Sequence, residues 1–231
     1  MKTKSVKLIP KELRTLDFPE AHFLSDDEQK KYEDSIKEYS GEAYKSLRIS
    51  QEGSNLFKVL QLNQIGIHTA TMSKLEAAID NGLSLQGFYE DTPTVILRSA
   101  GDSYTQNSYL AKLLAKQLKK STFEHALVIN GLTIKADSDS AYGLSLVPGE
   151  KFNYFEASEL DYLNKNRKFS RVDERGMPIF DTEGDKTLYT RRDGLSRLYL
   201  GGNLGTIAGV VGLAVSSVIG RVVVVSDGEA A

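Results

Sequence analysis

Residues 198–221 read LYLGGNLGTIAGVVGLAVSSVIGR, and VVVVS follows at once. From Leu198 to Gly220 the run carries no charge, and from Leu198 to Arg221 it holds no Lys, Glu, Gln, Met or Trp. No other stretch of the chain is like it. A membrane span, a buried loop and a displayed surface would each impose a different architecture on the residues around it.

As a helix, 23 uncharged residues are long enough to cross about 30 Å of hydrocarbon. Gly205, Ala208, Gly209, Gly212 and Ser216 supply the small-residue spacing that lets membrane helices approach closely. Six glycines, Asn203, Thr206, Ser216 and Ser217 weaken insertion. Val222–Val225, β-branched and behind Arg221, reads as a strand buried on both faces. A second reading is a buried glycine-rich loop and strand.

The third reading comes from residue types. Apart from its leucines, Tyr199 and Arg221, the run uses only Gly, Asn, Thr, Ile, Ala, Val and Ser. Each is reached from an Asn codon, AAC or AAT, by changing only the first two adenines. The five absent types need a purine in the third codon position, yet they supply 45 of the 231 residues of the chain. An apolar segment would also avoid most of them, so the pattern suggests codon randomisation without deciding it.

The composition bounds the rest. At 40% hydrophobic residues the chain can bury one full core, or a core with a helical annex. Lys+Arg 29 against Asp+Glu 31 gives a net charge of -2, without the basic excess of a dedicated nucleic-acid binder. With no cysteine there is neither a disulfide framework nor a thiolate metal site. The N-terminal MKTKSVKLIPKELRTLDFPE is basic without an apolar stretch, so no secretory signal peptide is expected. Work outside the cell would require another export route.

Residues 1–24 read as extended and turn-rich, with Pro10 and Pro19 as breakers. Ser25-Asp26-Asp27-Glu28 is a capping box opening a polar helix to about Leu47, with Tyr32, Ile36, Tyr39, Ala43 and Leu47 as its apolar stripe. Leu56–Leu62 predicts a second helix. Ser73-Lys74-Leu75-Glu76 predicts a third, ending at Asn81-Gly82. Thr94–Leu97 reads as a strand. Ser103–Gln106 caps an amphipathic helix with Lys112, Lys116, Lys119 and Lys120 outside. Strands are expected at Ala126–Ile134, Tyr142–Val147 and Phe152–Phe155. A hairpin pairs Met177–Phe180 with Thr187–Tyr189, and Leu195–Leu200 and Val222–Val225 close the chain. The fold class is α+β: a mainly helical part over 1–90 packed on a mixed domain over 91–231.

Catalytic and metal motifs are weak. His22, His68 and His125 are scattered, and no nucleophile elbow is present. Asp181-x-Glu183-Gly184-Asp185 lacks the later Glu of a calcium loop and reads as a hairpin turn. Gly201-Gly202-Asn203-Leu204-Gly205 fails the spacing of a phosphate loop. No enzyme activity, cofactor or metal is expected.

The frame Gly194-Leu195-Ser196-Arg197-Leu198-Tyr199-Leu200, then Leu204, Leu213-Ala214, Ser216 and Gly220-Arg221-Val222-Val223-Val224-Val225, resembles the variable region of archaeal, Nanoarchaeota-type proteins diversified by retroelements. Residues 169–180 and Thr187–Arg191 share the likeness, which spans roughly 90–226. The resemblance implies a C-type lectin fold with a hypervariable ligand-binding surface, rewritten by a reverse transcriptase that randomises template adenines. Its ligand would be a protein or a cell-surface group.

On that likeness Leu198, Leu200, Leu204, Leu213 and Val222–Val225 are fixed anchors. Gly201, Gly202, Asn203, Gly205, Ile207, Gly209, Val210, Val211, Gly212, Val215, Ser217 and Ile219 are displayed. Thr206, Ala208 and Val218 are open between the two sets. The chain lacks the Cys pairs, Trp-Asn-Asp and Glu-Pro-Asn of sugar-binding lectins. The competing function is a membrane-anchored protein whose last helix is 198–220.

Overall fold

In the computed structural model, the described residues are 21–50 and 52–226. The expectation for residues 1–20 lies outside them. The chain order is β1 (Ala21–Phe23), α1 (Asp26–Ser35), α2 (Gly41–Leu47), α3 (Leu56–Gln64), α4 (Met72–Asp80), β2 (Tyr89–Leu97) and α5 (Thr105–Gln117). Then come β3 (Ala126–Ala136), β4 (Leu144–Ala157), β5 (Lys168–Val172), β6 (Pro178–Phe180), β7 (Lys186–Thr187) and β8 (Tyr189–Thr190). β9 (Leu195–Leu200), β10 (Thr206–Ala208), β11 (Gly220–Arg221) and β12 (Val223–Val225) follow. The protein is a mixed α+β fold.

The main sheet runs β4-β3-β2-β9-β10-β8, with β11 beside β2. Glu90 of β2 pairs with Leu200 on one edge and with Arg221 on the other, so β11 takes the part of that edge that β3 leaves free. Alternation along the strands sends neighbouring residues to opposite faces. Val95, Leu97 and Leu195 enter one core with Phe57, Leu60 and Leu114. Ile96, Leu198 and Leu200 enter a second with Leu75, Phe169 and Leu188. Val222 and Val224 join the first core and Val223 and Val225 the second, as the β-branched run predicts. β12 also pairs antiparallel with β1.

The capping box at Ser25 forms in full, Ser25 Oγ accepting from Glu28 N while Glu28 receives Ser25 N at 2.8 Å. The long polar helix expected to Leu47 is broken: α1 ends at Ser35, a 3-10 turn over Ile36–Glu38 follows, and α2 restarts at Gly41, whose φ is +57. α4 starts earlier than its capping pattern implies, with Thr71 as N-cap. With Thr71 as cap the third helical position is Lys74, so Glu76 closes no capping box, and its carboxylate meets Lys186 Nζ at 2.5 Å in a buried pair. The expected strands at 142–147 and 152–155 are parts of one strand, β4, folded on β3 across a register shift at Asn130/Leu132. β6 and β7 do not pair with each other; each pairs with β5.

Among the described residues the helices before the main sheet end at Asp80, and β2 starts at Tyr89, so the division expected at 90 falls inside a strand. Tyr32, Leu47 and Phe57 share a core with Val95 and Ile129 of the sheet. The exposed Lys112, Lys116 and Lys119 make the outer side of α5 a solvated face.

Candidate ligand-binding surface

The run 198–221 contains no helix. It finishes β9, turns over 201–205, forms β10, crosses as a loop over 209–219 and closes as β11. Among the described residues no helix is long and apolar enough to cross a membrane. The spanning helix expected at 198–220 therefore finds no counterpart. The reason is local: β9 and β10 pair Leu200 with Thr206, which commits the backbone to sheet.

The rest of the protein grips this run largely by its main chain. Asn107 Nδ2 donates to the carbonyls of Leu195 and Val211, both at 2.9 Å. Asn55 Nδ2 donates to Ala214 O at 2.9 Å and to Ser46 O at 3.1 Å. Leu56 N donates to Leu213 O, Gly87 N to Gly202 O and Tyr89 N to Ile219 O. Arg98 Nη2 and Ser196 Oγ both donate to Ala208 O, at 2.9 and 2.6 Å. Ser217 N donates to the Tyr89 hydroxyl at 2.6 Å. Carbonyls and amides are present whatever the side chain, so these contacts hold the path of the loop and not its sequence.

Side chains divide accordingly. Leu198, Leu200 and Leu213 are fully buried, and Leu213 plugs the loop into the first core. Thr206 and Ala208, open in the sequence, are buried with them; Val218, also open, is 75% exposed. Val215 is 60% and Ile219 51% exposed, and Asn203 and Ser217 are exposed too. Gly202, Ile207, Gly209, Val210 and Val211 are partly exposed. Leu204 is an anchor of a different kind. It packs partly buried on the second core, and its φ of +61 turns the chain between Gly201 and Gly205.

Three glycines expected on display, Gly201, Gly205 and Gly212, are buried. A Cβ on Gly205 would lie 2.6 Å from the carbonyl oxygen of Thr187, a backbone atom that cannot step aside, so Gly205 belongs to the scaffold. Cβ atoms on Gly201 and Gly212 would meet first the side chains of Ile207 and Val215, at 2.7 and 2.6 Å, which are themselves in the run. Gly202 has room for a Cβ at ordinary contact distance, and at Gly209 the Thr190 backbone lies 3.3 Å away. Gly220, in the fixed frame, is closed by Ser54 N at 2.7 Å and the Tyr89 ring at 2.8 Å.

Among the described residues eight glycines elsewhere have positive φ, from Gly41 to Gly194, whereas no glycine of the run does. Backbone conformation therefore does not call for glycine at these positions.

Beneath the loop the charges are tied down. Arg197 Nη1 donates to both oxygens of Asp91 at 2.9 Å, with both side chains buried. The Arg197 guanidinium lies 4.7 Å from the Tyr199 ring centre, and Tyr89 meets Tyr199 edge-on at 5.8 Å. Burial pushes the Asp91 carboxyl up, and Arg197 pulls it back. Glu90 is fully buried with neither carboxylate oxygen hydrogen-bonded, and burial with the neighbouring Asp91 raises it well above the ordinary carboxylate range. Among the described residues no three His, Asp or Glu side chains gather as a metal site. His22 pairs with Glu28, and His125 with Asp161. Asp181 Oδ1 accepts Glu183 N within a tight turn.

Asn55, Tyr89 and Asn107 are the residues holding the run that the sequence does not reveal. Asn55 carries one local signal, as the N-cap of α3 accepting Lys58 N. Nothing local points Asn107 at Val211.

No family model, curated protein or solved structure matches the chain.

Proposed function

We propose that this chain is a non-enzymatic binding protein of C-type lectin type, whose surface over 202–219 is diversified by a retroelement. The observation that carries the reading is the main-chain grip on the run. A surface that must change without unfolding its domain needs fixed apolar plugs and sequence-independent holds, with side chains free to vary. Leu213 is such a plug, and Asn55, Asn107 and Tyr89 are such holds. Gly202 sits where neither its backbone conformation nor its surroundings require glycine, which fits a residue drawn from a codon scheme. Helices early and short strands with irregular loops late suit the lectin architecture.

In this variant the contact surface is Val210, Val211, Val215, Val218 and Ile219, edged by Asn203 and Ser217. It presents no charge, Tyr or Arg from the loop 209–219, and Tyr and Arg are frequent interface anchors. It suits a small apolar feature of a protein or cell-surface ligand, held by shape and by main-chain hydrogen bonds.

The test is a displayed library randomised together at Gly202, Asn203, Gly209, Val210, Val211, Val215, Ser217, Val218 and Ile219. Most members should fold, and selection against unrelated proteins should return specific binders. A library that fails to fold, or folds and yields no binders, would sink the reading.

A further inference from the structure

The ten residues 162–171, YLNKNRKFSR, hold four cations and no acid in a chain of net charge -2. Tyr162–Asn164 forms a single 3-10 turn, and at its tip Leu163 is 80% exposed beside a 37% exposed Tyr162. The Arg192 guanidinium lies 4.3 Å from the Tyr162 ring centre and Lys165 Nζ 5.4 Å from it. Arg167 covers the Phe180 ring at 3.8 Å. Among the described residues Lys165, Arg167, Arg171 and Arg192 form no ion pair. The flanking acids are engaged elsewhere, Asp161 by His125 at 2.7 Å and Asp173 by Arg175 at 2.8 Å. Asp181, Glu183 and Asp185 of the adjoining turn pair with none of these cations.

We infer that this surface docks the protein on an anionic membrane. An exposed leucine enters the boundary of headgroups and acyl chains, a tyrosine suits the interface, and cations around them meet lipid phosphates. Single-stranded nucleic acid also binds basic and aromatic surfaces, but by stacking on open rings. Here cations already lie over both rings, and Leu163 has no part in stacking. The patch lies beside β10, since Arg98 Nη2 meets both Leu160 O at 3.5 Å and Ala208 O at 2.9 Å, whereas Leu213 seats the loop 209–219 in the first core. The inference stands apart from the diversified-surface reading, and neither falls with the other.

The chain has no tryptophan, so Leu163→Trp places a single reporter at the tip. This variant is titrated with vesicles of phosphatidylcholine alone, of an equal mixture with phosphatidylglycerol, and with a single-stranded oligonucleotide. Flotation of the unaltered chain and of Lys165→Ala, Arg192→Ala and Leu163→Ser accompanies it, with thermal melting to check that each is folded. A blue-shifted emission with the anionic vesicles alone is expected. Loss of each cation should weaken flotation about fivefold, as one basic residue near such a surface contributes, and Leu163→Ser should weaken it without changing the melting curve. No shift with anionic vesicles, equal binding to both lipids, or tighter binding of the oligonucleotide through the same residues would overturn the inference.

Discussion

The side-chain amide of Asn107, buried on α5, donates to the carbonyl of Val211, a residue in the middle of the exposed loop, at 2.9 Å. The same amide holds Leu195 O, and its oxygen accepts the Tyr142 hydroxyl at 2.7 Å. One side chain thus ties the loop to β9 and to the segment before β4. Asn107→Leu should cost about 2–4 kcal/mol, since it breaks three buried hydrogen bonds and strands their partners. Hydrogen exchange should quicken over 209–219 more than in β3. Uniform quickening would mean that Asn107 supports the core and not the loop.

Alanine at the run's glycines should separate display from scaffold. Gly202→Ala is expected within about 0.5 kcal/mol of the parent. Gly205→Ala and Gly220→Ala should each cost about 1–3 kcal/mol by overpacking, because their Cβ atoms meet backbone at 2.6 and 2.7 Å. Chemical denaturation of the three variants measures this. Equal losses would dissolve the distinction.

These differences show where the sequence was legible. The bounds of β9 and the two-faced burial of Val222–Val225, of which Val223–Val225 forms β12, are legible because period and β-branching are local properties. The chain's grip on the loop is not local. Asn107 and Val211 are 104 residues apart, and Asn55 and Ala214 159 apart. Gly205 was misplaced for the same reason, as the Thr187 carbonyl that closes its site comes from another strand. The capping-box spacing of Ser73 and Glu76 does not mark the helix start, which lies at Thr71, and the partner of Glu76, Lys186 of the β5–β7 sheet, is 110 residues away.

Glu90 should make stability depend on pH. Its folded-state carboxyl is raised by burial, while the unfolded chain loses the proton near the ordinary value of about 4.3. Stability from this group is therefore fully present below that value and declines as pH rises toward the folded pKa. Glu90→Gln removes the titration. The variant should gain on the parent between pH 5 and pH 8, by urea denaturation at each pH. A gap that stays constant with pH would show that Glu90 does not titrate in this way.

Leu213→Ala should cost about 2–5 kcal/mol, the range for a buried leucine. Changing Val210, Val211 and Val215 together to Asn should cost less than that single change, because all three are at least partly exposed. Thermal melting that ranks the triple variant as the less stable would assign the valines to the core.

The central claim is that this surface is rewritten while its frame is kept. Deep sequencing of the segment encoding 198–226 across a population carrying the gene tests it most directly. Substitutions should concentrate in the codons of Gly202, Asn203, Gly209, Val210, Val211, Val215, Ser217, Val218 and Ile219, at their first two positions. The codons of Leu213 and of Gly220–Val225 should stay constant. An invariant segment, or changes spread evenly over displayed and anchoring codons, would contradict the account.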